Sequence, residues 1–231
     1  MIAWEHLASA DMPGGGALKL MRRGKEYSIK LDRIELMNSR LSGSEDALAT
    51  MALERIGPVA APHVLIGGLG MGFTLRAALA CFPDDAVITV AELSPDIVEW
   101  ARGPMSELFG ASMEDPRVVI HIGDVGPLIA GSKARYHAIL LDVDNGPEGI
   151  SRADNDAIYS PKGLGAAKSA LKPGGVLGVW SQGPDAAFHG RMKQSGLKTE
   201  EVRVKANAGR KGARHVLWFG TRPGGDQRAS R

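Results

Sequence analysis

From His63 onward the chain alternates short, almost wholly apolar runs with segments of helical spacing. This alternation restricts the fold more than any other feature of the sequence. Strands are expected at 64–67, 86–91, 118–122, 138–141, 176–180, 199–205 and 214–220, and helices at 72–81, 95–102, 125–130, 161–171 and 185–194. Strands lacking polar alternation must be buried on both faces, which a parallel sheet between two helix layers provides. The last two strands are separated only by 206–213, rich in glycine and charge, so they should close the sheet as an antiparallel hairpin. The expected class is α/β: a doubly wound, seven-stranded, mostly parallel sheet with a C-terminal antiparallel hairpin.

Upstream, 17–22, 27–31 and 34–37 read as three strands joined at Gly24-Lys25 and Asp32-Arg33, a small N-terminal β meander. A helix is expected over 42–56. Ser42 or Ser44 can cap it, Glu45 and Asp46 suit its positive end, and Gly57-Pro58 stops it. The expected organisation is a meander and leading helix over 1–57, a Rossmann-like nucleoside-binding domain over 58–222, and a flexible tail over 223–231.

Composition removes several classes. Hydrophobic residues make up 44% and charged residues 23%, as in soluble chains with a real core. No apolar run approaches the ~20 residues of a membrane helix, and the first residues lack a signal peptide's basic and apolar regions. The lone Cys81 excludes a disulfide framework and a cysteine zinc cluster. A cytoplasmic protein with no metal and no membrane partner is expected. Charge is uneven: 202–231 hold eight basic side chains and one acid, a net +7, which leaves 1–201 at −5. Nucleic acid is still not an expected partner, because single-strand binding spreads aromatics among the charges. Here Trp218 and Phe219 stand adjacent on a strand.

The most informative stretch is VLIGGLGMGFTLRAAL, 64–79. A buried strand runs into Gly67, Gly68, Gly70 and Gly72, and a helix begins at once. Such glycines permit a tight turn and a close backbone approach to a ligand, and the helix adds free N–H groups. Glu92, at the tip of the next strand, is placed to accept from ribose hydroxyls. Ser94 is expected to cap the following helix, which leaves Glu92 free for that role. Asp124, after the third strand, can accept from an adenine amino group and also cap its own helix. No G-x-x-x-x-G-K-[ST] run occurs, so a P-loop is excluded.

After the fourth strand, AILLDVDNGPEGI places Asp142 and Asp144 outside a strand's carboxyl end, facing the same crevice. Two carboxylates there can orient a cationic substrate or take a proton from an amine, since one acid raises the pKa of its neighbour. Histidines offer less. His63 and His121 read as satisfied groups in or beside strands, and His189 and His215 have no acid or nucleophile at a telling spacing. His6 and His137 are expected in solvent. Trp180 is expected in the core, with Tyr159 near the cleft.

With these residues in hand, 17–221 resemble the spermidine synthase-like family of the class I S-adenosylmethionine-dependent fold. The resemblance lies in GGLGMG, AELSPDIVEWAR, GDV, LLDVDNGP, NDAIYSPKGLGAAKSALKPGGVLGVWS and the leading LDRIELMNSRLSGSEDALATMALERIG. It implies S-adenosylmethionine or its decarboxylated form as donor, and a homodimer. Gly67, Gly68, Gly70 and Gly72 would cradle the methionine portion, Glu92 the ribose and Asp124 the adenine. Asp142 and Asp144 would serve a small-molecule amine acceptor. Polyamine aminopropyltransferases, as the resemblance implies, carry an acid inside the glycine loop, and none stands here, so methyl transfer is favoured over aminopropyl transfer. Methionine-group recognition then falls to the segment around Ser44-Glu45-Asp46. The alternatives are a polyamine aminopropyltransferase (spermidine synthase) and a non-catalytic nucleoside-binding protein.

Overall fold

The structure is a computed structural model that describes residues 2–11, 16–40, 42–143, 147, 155–206 and 213–224. The meander has four strands: β1 Glu5–Asp11, β2 Ala17–Arg23, β3 Glu26–Leu31 and β4 Ile34–Asn38, paired antiparallel in that order. Three of them are expected from the sequence. The fourth, β1, with the sequence EHLASAD, lies at an edge, contains no β-branched residue and buries nothing fully, so it lacks the alternation that marks a half-buried strand.

Helix α1, Gly43–Ile56, then leads into the main sheet. Its strands are β5 His63–Gly67, β6 Val87–Glu92, β7 Val118–Ile122, β8 Tyr136–Leu141, β9 Leu171–Ser181, β10 Lys198–Lys205 and β11 Arg214–Thr221. They lie in the order β10-β11-β9-β8-β5-β6-β7, and β11 runs antiparallel to both neighbours. The other pairings are parallel. The seven-stranded doubly wound sheet with its closing hairpin is therefore as the sequence implies.

Alternate residues of each strand feed two cores. Val64, Ile66, Ala138, Leu140, Leu217 and Phe219 join one cluster with α1, α2 (Phe73–Cys81), α3 (Pro95–Arg102) and the inner residues Leu18, Leu20 and Ile29 of the meander. Leu65, Ile139, Leu141, Val216 and Trp218 join the other, with α5 (Val125–Ala130), α7 (Pro161–Ala170) and α8 (Ala186–Gln194). Three short elements not expected from the sequence are α4, Ser106–Phe109, the 3-10 helix Gly110–Met113 that follows it, and α6, Asn155–Tyr159. Among the described residues no helix is long and apolar enough to cross a membrane.

Successive crossovers carry β5, β6 and β7 outward in one direction, and β8 then pairs on the other side of β5. The reversal opens a crevice beyond the carboxyl ends of β5 and β8, where ligands of such sheets bind.

Candidate active site

The glycine turn is built by backbone bonds at that reversal. Gly68 N–H donates to Ala91 O (2.9 Å), and Gly72 N–H to Leu69 O (2.8 Å). Gly68 has φ +90° and Gly72 φ +73°, in the region that disfavours any side chain. A Cβ on Gly68 would overlap the backbone carbonyl of Asp142, and one on Gly72 the ring of Phe109. Asp142 N–H donates to Gly67 O (3.0 Å), so the turn and the fourth-strand acid are set against each other by backbone alone. Above the turn, Met37 Sδ stands 3.2 Å from where a Cβ on Gly70 would lie.

Glu92 is buried, and its local role differs from the one its position in the sequence suggests. Its Oε2 accepts from Leu69 N–H (2.9 Å) and its Oε1 from Ser94 N–H (2.9 Å), while the Ser94 side chain makes no cap bond to α3. Glu92 thus clamps the glycine turn to the start of α3. Burial pushes its carboxyl up, and the backbone donors of Ser94, Leu69, Gly70 and Leu93 pull it down. A carboxylate offers about four lone-pair sites, and among the described residues only the Leu69 and Ser94 amides make full hydrogen bonds to it, so acceptor capacity remains for a ligand's hydroxyls. Asp124 caps α5, accepting from Gly126 N–H at 2.7 Å, and stays at the surface.

Asp142 is held by Thr74, whose Oγ1 donates to Oδ2 at 2.7 Å. Burial raises its carboxyl to about 6, against the pull of the Thr74 bond. The opposing acid is Glu45, in the first turn of α1, which burial and the Asp142 charge push up to about 7. The segment 44–46 singled out in the sequence therefore does reach the crevice, through Glu45. Ser44, fully buried, anchors it: its Oγ donates to Glu45 Oε2 (2.5 Å), accepts from Trp180 Nε1 (3.0 Å) and lies 2.8 Å from His215 Nδ1. Neither Ser42 nor Ser44 caps α1 with its side chain. Asp46 projects outward with Arg76 as its nearby cation. Asp144 lies outside the described residues.

Sequence reasoning missed Thr74, although it is one of only two polar residues in FTLRAALAC and is buried. His215 likewise has its partner 171 positions away, beyond any spacing rule. His137, expected in solvent, is 8% exposed, because β8 begins at Tyr136 and its ring Nδ1 accepts from His63 N–H. His189 meets Glu201 across the sheet surface at 3.0 Å. Trp180 lies in the core as expected, edge-on to the His215 ring. Beyond the acidic loop, Pro147, Tyr159, Ser160, Pro161 and Arg191 line a cleft of about 340 Å³. No glycine-turn residue borders it, and the Arg191 cation makes it a poor seat for a second cation. Among the described residues no group of three or more His, Cys, Asp or Glu is arranged to hold a metal ion.

Strand order, terminal hairpin and glycine turn together define the methyltransferase-type doubly wound class. Within it, residues 45–200 match the sequence model of the spermine/spermidine synthase domain, and the chain belongs to that family. A polyamine aminopropyltransferase of Nitrosomonas europaea is 32% identical over 122 residues, 53% of this chain and 36% of the relative. Putrescine N-methyltransferase 2 of Nicotiana attenuata is 32% identical over 114 residues, 49% of this chain and 29% of the relative. The matched part thus spans only about a third of the length of these curated relatives. The solved spermidine synthase from Thermotoga maritima superimposes with a TM-score of 0.74 at 18% identity, over 94% of this chain and 72% of that one. That likeness bears on the fold.

Proposed function

We propose that the chain transfers an alkyl group from an adenosyl sulfonium donor to a small amine, with aminopropyl transfer ahead of methyl transfer. The observation that carries the reading is Asp142, set against the glycine turn by its backbone bond to Gly67, its carboxyl held by Thr74 and raised by burial to about 6. A base that titrates near neutrality is suited to taking a proton from nitrogen as it is alkylated. The order of the two groups follows the family domain and the aminopropyltransferase relatives. It reverses the preference for methyl transfer drawn from the acid-free glycine turn, which the putrescine N-methyltransferase relatives keep as a second reading.

In this reading Gly67, Gly68, Gly70 and Gly72 receive the donor's chain, Glu92 its ribose and Asp124 its adenine amino group. The residues present fit such a group. The turn has no room for side chains at 68 and 72, and Glu92 retains lone pairs after its two amide bonds. The bound donor supplies an activated carbon, and the protein supplies alignment, which accounts for much of the acceleration in such transfers. Asp142, with Asp144 on the following loop, orients the amine and accepts its proton. The same reading takes the protein to be a cytoplasmic homodimer that acts on a small amine rather than on nucleic acid.

The test is calorimetric titration with decarboxylated S-adenosylmethionine and with S-adenosylmethionine, followed by product analysis with putrescine. Tighter binding of the decarboxylated donor and an aminopropylated product are expected. A methylated product would select the second reading. Binding of either donor without product across an amine panel would leave the non-catalytic nucleoside-binding alternative.

A further inference from the structure

The Ser44 hydroxyl stands where three hydrogen bonds meet, and its protons must be shared out among them. Trp180 Nε1 can only donate, so it occupies one of the two hydroxyl lone pairs. One lone pair and one proton remain for Glu45 and His215. With Glu45 ionised, Ser44 donates to Glu45 and His215 donates to Ser44 from Nδ1–H. With Glu45 protonated, Glu45 donates to Ser44, Ser44 donates to His215 Nδ1, and the imidazole proton sits on Nε2. A single buried oxygen therefore ties the protonation of Glu45 to the tautomer of His215.

We infer that Ser44 and His215 form a proton relay serving the Glu45–Asp142 carboxylate pair. The relay's chemical use rests on the alkyl transfer proposed above. For each group moved, the acceptor N–C bond forms as the donor C–S bond breaks, the C–S electron pair stays on sulfur, and the nitrogen loses one proton. Asp142 takes that proton and shares it with Glu45. Glu45 passes a proton to the Ser44 oxygen as the Ser44 proton moves to His215 Nδ1, and His215 releases its Nε2 proton to solvent. The imidazole ends as the Nδ1–H tautomer, the one an ionised Glu45 requires, and before the next pass it returns to the Nε2–H tautomer by exchange with water, gaining one proton at Nε2 and losing the one on Nδ1.

The surroundings suit this traffic. The charged groups acting on Glu45 are Asp142 at the end of β8 and Asp46 on its own helix; Arg76 on α2 lies beside Asp46, and His215 on β11 meets Glu45 only through Ser44. On β9 the neighbour is the neutral Trp180, and β10 is followed by the Ala206 carbonyl, which accepts from Gly43 N–H. On the hairpin, Arg214 and its cross-strand partner Lys205 flank His215. Burial holds His215 below the ordinary imidazole range, so it is a neutral carrier at physiological pH. The residue is also only half-buried.

The relay makes two perturbations act in opposite directions on one observable. Glu45's carboxyl can be followed by carbon NMR in the full-length, ligand-free protein, with Glu45→Gln assigning the signal. Ser44→Ala removes the donor to the carboxylate and should raise the Glu45 midpoint by about one pH unit. His215→Phe keeps the ring against Trp180 but costs each state one bond: Ser44 loses a donor when Glu45 is ionised and an acceptor when Glu45 is protonated. A buried O–H left without an acceptor costs more than a spare lone pair, so the midpoint should fall, by about half a pH unit. A merely structural role for either residue would not produce opposite signs. Shifts in the same direction, or an unmoved midpoint in His215→Phe, would overturn the relay. His215→Phe decides the matter alone if Ser44→Ala fails to fold. Where turnover is found, the acid limb of its pH profile should follow the same shift in His215→Phe. A wild-type protein that turns over no donor would sink the alkyl-transfer reading, while the NMR midpoints would still decide whether the proton coupling exists.

Discussion

Replacing Gly68 by alanine should reveal how rigidly the glycine turn and the fourth-strand acid are set against each other. Two costs add. At φ +90° a Cβ brings strain of about 1–2 kcal/mol, as left-handed geometry does for L-residues. The new methyl also overlaps the Asp142 carbonyl oxygen, with the carbonyl carbon only 3.2 Å away and Val143 Cγ1 at 3.5 Å. Backbone cannot rotate aside as a side chain does, so overpacking adds about 1–3 kcal/mol. Gly174 separates the terms: it has φ +81° and open space where a Cβ would go. Near 3 kcal/mol, Gly68→Ala should lower Tm by about 6–12 °C, while Gly174→Ala, with strain alone at about 1.5 kcal/mol, should lower it by about 3–6 °C. Scanning calorimetry of both variants at one pH gives the comparison. Any relief of the overlap widens the gap between Gly68 and Asp142, so turnover should fall about 100-fold even below the melting range. Equal Tm losses in the two variants would refute the argument that the carbonyl contact fixes this distance.

Three further outcomes are expected. Thr74→Val deletes the bond that lowers the Asp142 carboxyl, so its titration should rise above about 6 and the acid limb of kcat/KM should move up by about one pH unit. Glu45, raised from 4.5 to about 7, holds extra protons in the folded state across that window, so its stability contribution is lost as pH rises through it. Glu45→Gln should therefore raise Tm at pH 8 by about 2–4 °C, roughly 1 kcal/mol after solvent screening, with little effect at pH 4. Glu92→Ala removes the clamp between Leu69 and Ser94 and the acceptor offered to ribose. Nucleoside affinity by calorimetry should drop at least about 100-fold, and unchanged affinity would end the ribose assignment.

The main sheet could be read from the sequence because each of its strands is an apolar run bounded by turn residues, a pattern that survives without knowledge of partners. β9 extends back to Leu171, five residues earlier than its apolar run implies, because Lys172-Pro173-Gly174-Gly175 reads as a turn but forms an irregularity in the strand, with Leu171 opposite Tyr136 before it and Val176 opposite Ala138 after it. In the site, Glu92 and Asp142 announced themselves as acids at strand tips. What those acids do locally was not legible. The Glu92 bonds to Leu69 and Ser94 depend on how tightly the turn folds back, and a hydroxyl such as Ser94 is a statistically good cap that here makes no such bond. Ser44, Trp180 and His215 come from three remote segments. No periodicity within one segment can bring them together.

The placement of β11 has a consequence for how the molecule is assembled. The strand that comes last in the chain among those described lies inside the sheet, between β9 and the earlier β10. Until it docks, β10 has no hydrogen-bonding neighbour, and His215 is not beside Ser44. The tie between α1 and this strand closes a loop of 171 residues, whose entropy must be overcome before the contact returns anything. A partly synthesised or partly folded chain can form the glycine turn and its Glu92 clamp early, from neighbouring β5 and β6. The proton network, by contrast, comes into being only with the final closure, so a reporter on His215 would time the last event of folding.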